Sequence, residues 1–227
     1  VPILTGLEGC TVCQKYVDEL LRLGVLRSRD RLISWAGHGH VYHARRLYHH
    51  RPFPWEDGGS SNRGAVLRGS ADLALVRDTI LGVVPDPIIP STSGTIVVVC
   101  RPSGAARSTA NQDTLLRAIR GRYHSVVVFD RPAPTLQADV HVFRDAAAVV
   151  AVHGAGLMNM LWCRPGAAVV EVCYTTGMPC PDIYYHMAVS LDLQYHVSLG
   201  TGDYGGAVYV NIADILGRLA AAFGDRR

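Results

Sequence analysis

Ala148-Val149-Val150-Ala151-Val152-His153-Gly154-Ala155-Gly156-Leu157-Met158-Asn159-Met160-Leu161 is the stretch on which the reading of this chain turns. Its first five residues are small and apolar, mostly β-branched, and suit a strand covered on both faces. Gly154 and Gly156 let the backbone turn sharply and leave no side chain in a ligand's way. The residues that follow predict a helix whose N-terminus points back at the turn. Free N–H groups and the positive end of a helix dipole suit such a turn to phosphate. A second strand, Ala167–Val172, follows the Arg164-Pro165-Gly166 turn. The unit is a compact βαβ, and Glu171 is its one buried-looking acid.

The chain has 227 residues, 48% of them apolar, with 23 glycines. That composition fits a packed α/β protein of one large or two small domains. The net charge is +3, from 22 basic and 19 acidic residues, too little to argue for a nucleic-acid partner. Lys15 is the single lysine; the remaining basic residues are arginines, whose fork geometry suits phosphate. The six cysteines include Cys10-x-x-Cys13, which has no second pair to complete a metal site. They read as buried thiols or a disulfide. No run approaches the roughly 20 apolar residues of a membrane-spanning helix. The chain starts on Val1 without a signal peptide and reads as excised from something longer.

The periodicity predicts a helix over Val12–Leu26 that stops at Gly24, and a short strand at Arg31–Trp35. The histidine-rich segment from Gly37 to His50 offers His38, His40 and His43 as candidate general bases. No acid or cysteine falls at a fixed spacing among these histidines, so a metal site is the weaker reading. Residues 51–70 are polar and turn-rich. A helix follows over 71–82, and Pro85, Asp86, Pro87 and Pro90 then interrupt the chain. These breaks predict residues 1–82 as one unit, 83–94 as a linker and 95–227 as a second domain.

From Thr95 strands and helices alternate: strands at 95–100, 125–130, 148–152, 167–172 and 195–199, and helices at 111–119, near 135–146, at 182–191 and at 211–223. Asp182 is the expected cap of its helix. The alternation predicts a doubly wound, Rossmann-type parallel sheet with flanking helices. In such sheets ligands sit beyond the carboxyl ends of the strands. Arg101, the turn at His153–Gly156 and Glu171 all fall there, with Arg107 close by. A cation pair, backbone donors and a carboxylate match a nucleotide diphosphate, the acid taking ribose hydroxyls. Two other motifs come near. Gly154-x-Gly156-x-x-Asn159 is a dinucleotide fingerprint without its third glycine, which keeps a Rossmann-type dehydrogenase open. His-Gly-Ala-Gly is also the wording of an esterase oxyanion loop, but the chain has no Gly-x-Ser-x-Gly.

His153-Gly154-Ala155-Gly156-Leu157 with Asn159, Pro165-Gly166 and a strand carrying Glu171 resembles the signature of glycosyltransferase family 61. That family includes plant xylan xylosyl- and arabinosyltransferases and animal O-GlcNAc transferases of the secretory pathway. The resemblance runs over about 95–220. Arg101, Arg107 and Asn111, followed by Leu115 and Leu116, are similar to its strand-end arginines and the asparagine opening the next helix. Tyr185–Ala188 with Leu191 and Tyr195 resembles its tyrosine-bearing helix. Met158 departs from the pattern, standing where the family usually has threonine. The resemblance implies a two-domain GT-B fold with an incomplete first domain. It implies transfer, with inversion, of a sugar from a nucleotide sugar, UDP-linked, to a glycan or protein acceptor. Arg101, Arg107, Asn111, His153, Gly154, Ala155, Gly156, Leu157, Asn159 and Glu171 would be the donor-binding set, with no metal and no cofactor beyond the donor. The base would come from the first domain. The parent would be anchored in the Golgi or endoplasmic reticulum through a segment outside this chain. A non-catalytic nucleotide-binding or interaction module of the same fold is the alternative.

Overall fold

The computed structural model describes residues 3–5, 11–29, 32–34, 70–86, 94–177 and 180–223. Five parallel strands form its centre: β3 (Thr95–Val99), β4 (Val126–Phe129), β5 (Ala146–Val152), β6 (Ala168–Tyr174) and β7 (Gln194–Gly200), in the order β4-β3-β5-β6-β7. Two shorter strands ahead of them, β1 (Ile3–Thr5) and β2 (Leu32–Ser34), pair in parallel with each other. The helices are α1 (Thr11–Arg22), α2 (Ser70–Val83), α3 (Gln112–Arg120), α4 (Leu136–Arg144), α5 (Ile183–Ser190) and α6 (Ile212–Phe223). The five-stranded sheet and its helices make a Rossmann-like α/β fold.

Alternation along the strands explains the layering. Val97, Val149, Ala151 and Val169 point to one face, packed under α2, α4 and α5 through Ile80, Val140, Phe143 and Met187. Ile96, Val98, Val150 and Val170 point to the other, under α3 and α6 through Leu115, Ile119, Ile215 and Leu219. A strand buried on both faces is apolar at nearly every position, which is why β3, β5 and β6 read as near-continuous apolar runs, broken by Thr95 at the start of β3 and by Glu171 within β6. Each fully buried Val or Leu contributes about 1.5–3 kcal/mol over an exposed one. The order places β5 at the middle and reverses direction between β3 and β5. That reversal opens a crevice at their carboxyl ends, where α/β sheets bind ligands.

Three expectations are corrected. The segment after the glycine turn is a 3₁₀ helix, Ala155–Trp162, rather than an α-helix. Asn159 Nδ2 donates to the Gly156 carbonyl at 3.2 Å, competing for an acceptor that an α-turn would use. Asp182 stands before α5 but makes no capping bond to it; its carboxylate accepts from His186 Nε2 at 3.2 Å. Finally, residues 70–86 and α1 do not stand apart from the core. Ile80 and Val84 are buried in it, with Leu20, Leu23, Leu73 and Leu81 against it. Arg77 Nη1 donates to the Leu191 carbonyl at 3.1 Å, and Arg144 pairs with Asp86 at 3.1 Å. Pro85 and Asp86 thus lie in a stretch docked against the C-terminal end of α4 through His141 and Arg144.

Candidate functional site

The carboxyl end of β3 delivers Arg101. Its Nη1 donates to the Ala106 carbonyl at 3.1 Å, which folds the side chain back along its own loop. Arg107 lies at the far side of that loop in the left-handed region, φ 60°. A non-glycine residue held there costs about 1–3 kcal/mol, and the structure shows what holds it. The returning chain after β7 runs alongside: Arg107 N donates to the Gly206 carbonyl at 2.6 Å, Val208 N to the Ser108 carbonyl at 2.8 Å, and Ala110 N to the Val208 carbonyl at 2.8 Å. The Arg107 guanidinium sits 4.3 Å over the Tyr204 ring, a cation–π contact.

Both guanidiniums converge on Gly154. A Cβ added there would overlap Arg101 Nη2 and stand 3.4 Å from Arg107 Nη1. Gly154 itself has φ 154° and ψ 178°, a region essentially reserved for glycine. The turn is bare so that two arginines can lie across it. Gly156 serves differently: its Cβ would come 2.6 Å from Val99 Cγ1, so this glycine lets the 3₁₀ segment press on the end of β3.

Among the described residues neither Arg101 nor Arg107 has an ion-pair partner. Arg107 Nε is buried with no hydrogen-bond acceptor among the described residues. Burial first, then the charge of Arg107, pulls the Arg101 guanidinium below its usual pKa. Two half-buried cations with no counter-charge among the described residues are an arrangement that a bound anion would stabilise. The Ala155 and Gly156 N–H groups open the 3₁₀ segment and have no carbonyl within it to bond.

One residue back, His153 belongs to a different arrangement. It is buried, and its Nδ1 bonds Glu171 Oε1. Tyr195 donates its hydroxyl to Glu171 Oε2. β6 and β7 pair Val169 with Tyr195 and Glu171 with Val197, so Tyr195 is a diagonal neighbour of Glu171 on the same face. Burial and then the Glu171 carboxylate push the Tyr195 hydroxyl well above its ordinary range, and push Tyr184 up to about 12. Tyr184 and Tyr174 meet the His153 ring edge-on, at 5.2 Å and 6.0 Å between centroids. With Nδ1 against a carboxylate, the ring donates at Nδ1, which is the tautomer assigned here.

Several expected site residues are employed elsewhere. Glu171 is 0% exposed with both oxygens occupied; it has no face for ribose hydroxyls and instead orients His153. The Asn111 amide is spent on the Val210 backbone, Nδ2 to the carbonyl at 3.0 Å and Oδ1 from the amide at 2.9 Å. Asn159 is folded onto Gly156. Leu157 is in the core and its amide donates to the Gly154 carbonyl at 2.9 Å, leaving Gly154, Ala155 and Gly156 as the donors of the turn. His38, His40 and His43 lie outside the described residues. Sequence reading missed Tyr204 and Tyr184, and named Tyr195 only within the family resemblance, not as a site residue. Tyr195 was within reach through β-strand alternation; Tyr204 lies in a loop with no periodic signal.

His153, Glu171 and Cys180 each place one potential ligand atom within 4.8 Å of the others. The first two already bond each other. No helix among the described residues is long and apolar enough to cross a membrane. No curated protein matches the chain. The family model described as Glycosyltransferase 61 matches residues 21–170, a span that contains Arg101, Arg107 and the whole glycine turn.

Proposed function

The chain belongs to glycosyltransferase family 61, and we propose that the crevice between β3 and β5 holds the diphosphate of a nucleotide-sugar donor, UDP-linked, for inverting transfer to a glycan or protein acceptor. The observation that carries this is the convergence of Arg101 and Arg107, unpaired by any described acid, on a glycine that leaves room for both. An inverting transfer needs the departing diphosphate stabilised and the acceptor hydroxyl deprotonated. Two guanidiniums and the amides at 154–156 supply the first of these. Charge developing on the leaving oxygen would be met by donors already in place, with no metal called for. The acceptor's base would come from the first domain, where His38, His40 and His43 stay its candidates. A GT-B arrangement, with the acceptor presented by a further domain, and a lumenal Golgi or endoplasmic reticulum setting for a membrane-anchored parent complete the reading.

The dehydrogenase reading loses its support at Glu171. A dinucleotide site needs an acid free to take the ribose at the end of the second strand, and here that acid is buried and fully bonded. A non-catalytic module keeps one point in its favour: Met158, 45% exposed, puts a thioether where a hydroxyl donor would help.

The test is calorimetric titration of the chain with UDP, repeated with Arg101→Ala and Arg107→Ala. Each charge-assisted contact is worth about 1.5–3 kcal/mol, so each variant should bind roughly 10–100-fold more weakly while unfolding at the same denaturant concentration. A folded chain that does not take up UDP would sink the donor-site reading, and binding that survives both substitutions would move the diphosphate away from this crevice.

A further inference from the structure

Among the described residues the five-stranded sheet ends on β4 at one side and β7 at the other, and the two edges are finished differently. β4 is four residues long and runs into Asp130 and Arg131. Short length and flanking charge protect an edge from foreign strands. β7 has seven residues, none of them an acid, a lysine, an arginine or a proline. Gln194 N donates to the Ala167 carbonyl at 2.9 Å, so the even-numbered residues of β7 bond β6. The N–H and C=O groups of Tyr195, Val197 and Leu199 therefore point away from the sheet, and none of the described residues bonds them. This open stretch is bounded at both ends. Leu193 N donates to the Ala188 carbonyl at 2.8 Å, and Thr201 and Tyr209 exchange both backbone bonds, at 2.8 and 2.7 Å. Its side chains are apolar as well. Val197 is 38% and Leu199 61% exposed, on the same face as the exposed Tyr185 and Val189 of α5; the Tyr185 and Tyr195 rings meet at 5.6 Å.

We propose that this edge pairs with a second copy of the chain, β7 against β7, antiparallel about a two-fold axis at Val197. A two-fold contact needs a surface that complements itself, and the open stretch from Tyr195 to Leu199 is symmetric about Val197. In this register Val197 faces the partner's Val197, and Tyr195 faces the partner's Leu199. Each of these pairs exchanges both of its N–H···O bonds, so every open backbone group of the stretch is met. Apolar cross-strand pairs of this kind are stabilising, and like charges directly opposite are not; this strand brings none. The same register sets His196 opposite the partner's Ser198. His196 Nε2 and Ser198 Oγ are the buried polar atoms of β7 that lack a hydrogen-bond partner among the described residues. Beyond Leu199 the place of a new strand is taken by Tyr209, which limits the contact to this stretch and closes it as a dimer. One strand pair with a few flanking side chains is a small interface, so the association is weak, in the micromolar range. β7 is separated from β5 by β6, so the contact is independent of the crevice between β3 and β5.

Sedimentation velocity over a concentration series tests this. The chain should pass from monomer to dimer and grow no further. Val197→Lys and Val197→Asp should each weaken the dimer roughly 10-fold or more, because like charges then meet across the axis. Measured on dilute chain, both should unfold at the denaturant concentration of the wild type. Mixed in equal amounts, the two variants should associate again, since opposite charges now face each other. Recovery in the mixture is specific to a second copy in this register. A chain that stays monomeric at every concentration would overturn the proposal and assign the edge to another segment or another protein. So would open-ended growth, a dimer that both variants keep, or a mixture that fails to recover.

Discussion

Two polar clusters adjoin at the carboxyl end of β5, and they are built on opposite terms. In the His153–Glu171–Tyr195 cluster every named polar contact is closed within the protein, around a carboxylate with no solvent exposure. In the Arg101–Arg107 cluster two cations are pressed together, one nitrogen buried without an acceptor, with no acid among the described residues to meet them. A buried ionised group is tolerable only when its partners are supplied. The first cluster is therefore architecture, and the second is the one proposed to take an anion. In that reading adjacent residues, His153 and Gly154, fall on different sides of the line between holding the proposed site and forming it.

The sharpest way to break that distinction is Glu171→Ala. It removes the shared acceptor of His153 and Tyr195 and leaves both donors buried without a partner. Breaking a buried pair in this way costs about 3–5 kcal/mol, which urea unfolding would register as a much lower midpoint. A variant of undiminished stability that had lost UDP binding would return Glu171 to the ligand and erase the contrast.

That contrast is also where sequence reading stopped. The parallel sheet was legible because β3, β5 and β6 are apolar at nearly every position, Thr95 and Glu171 excepted, and the crevice because the glycine turn and Arg101 both follow strands. Glu171 stood out as a buried acid, but its partners depend on strand register. Only the pairing of Val169 with Tyr195 brings that hydroxyl diagonally to the carboxylate. Asn111 and Asn159 looked like ligand contacts because an amide near a glycine turn suits either use. What decides it is which backbone passes by, and the Val208–Val210 segment that claims Asn111 arrives from about a hundred residues later. The docking of α2 was hidden by Pro85 and Asp86, which mark a turn equally well inside a domain as between two.

Gly154→Ala sharpens the open side. The new methyl group would push the Arg101 guanidinium aside and force alanine into a backbone region costing about 1–3 kcal/mol. UDP affinity should fall at least as far as in Arg101→Ala, with a lower unfolding midpoint as well. Arg101→Ala, in contrast, should leave the midpoint in place, because it removes one of two repelling charges. Measuring both properties on both variants separates loss of the anion site from loss of the turn. Equal stability in Gly154→Ala would mean that the backbone there is not held as described.

Asn111→Ala makes the smallest change and the most discriminating one. The side chain clamps the Val210 backbone from both sides, and Val210 belongs to the segment whose neighbours Gly206 and Val208 pin the Arg107 loop. Two neutral hydrogen bonds are together worth about 1–3 kcal/mol, with the solvent that enters recovering part of it; a loss near the low end is expected. If Asn111 acts only through the clamp, weaker UDP binding should appear through the Arg107 loop alone. Asn111→Ala should then weaken wild-type binding slightly and leave binding by Arg107→Ala unchanged. If the amide touches the donor, the two substitutions would add in full, as independent contacts do. The double-mutant cycle therefore decides whether Asn111 belongs with Glu171, holding the site, or with Arg101 and Arg107, forming it.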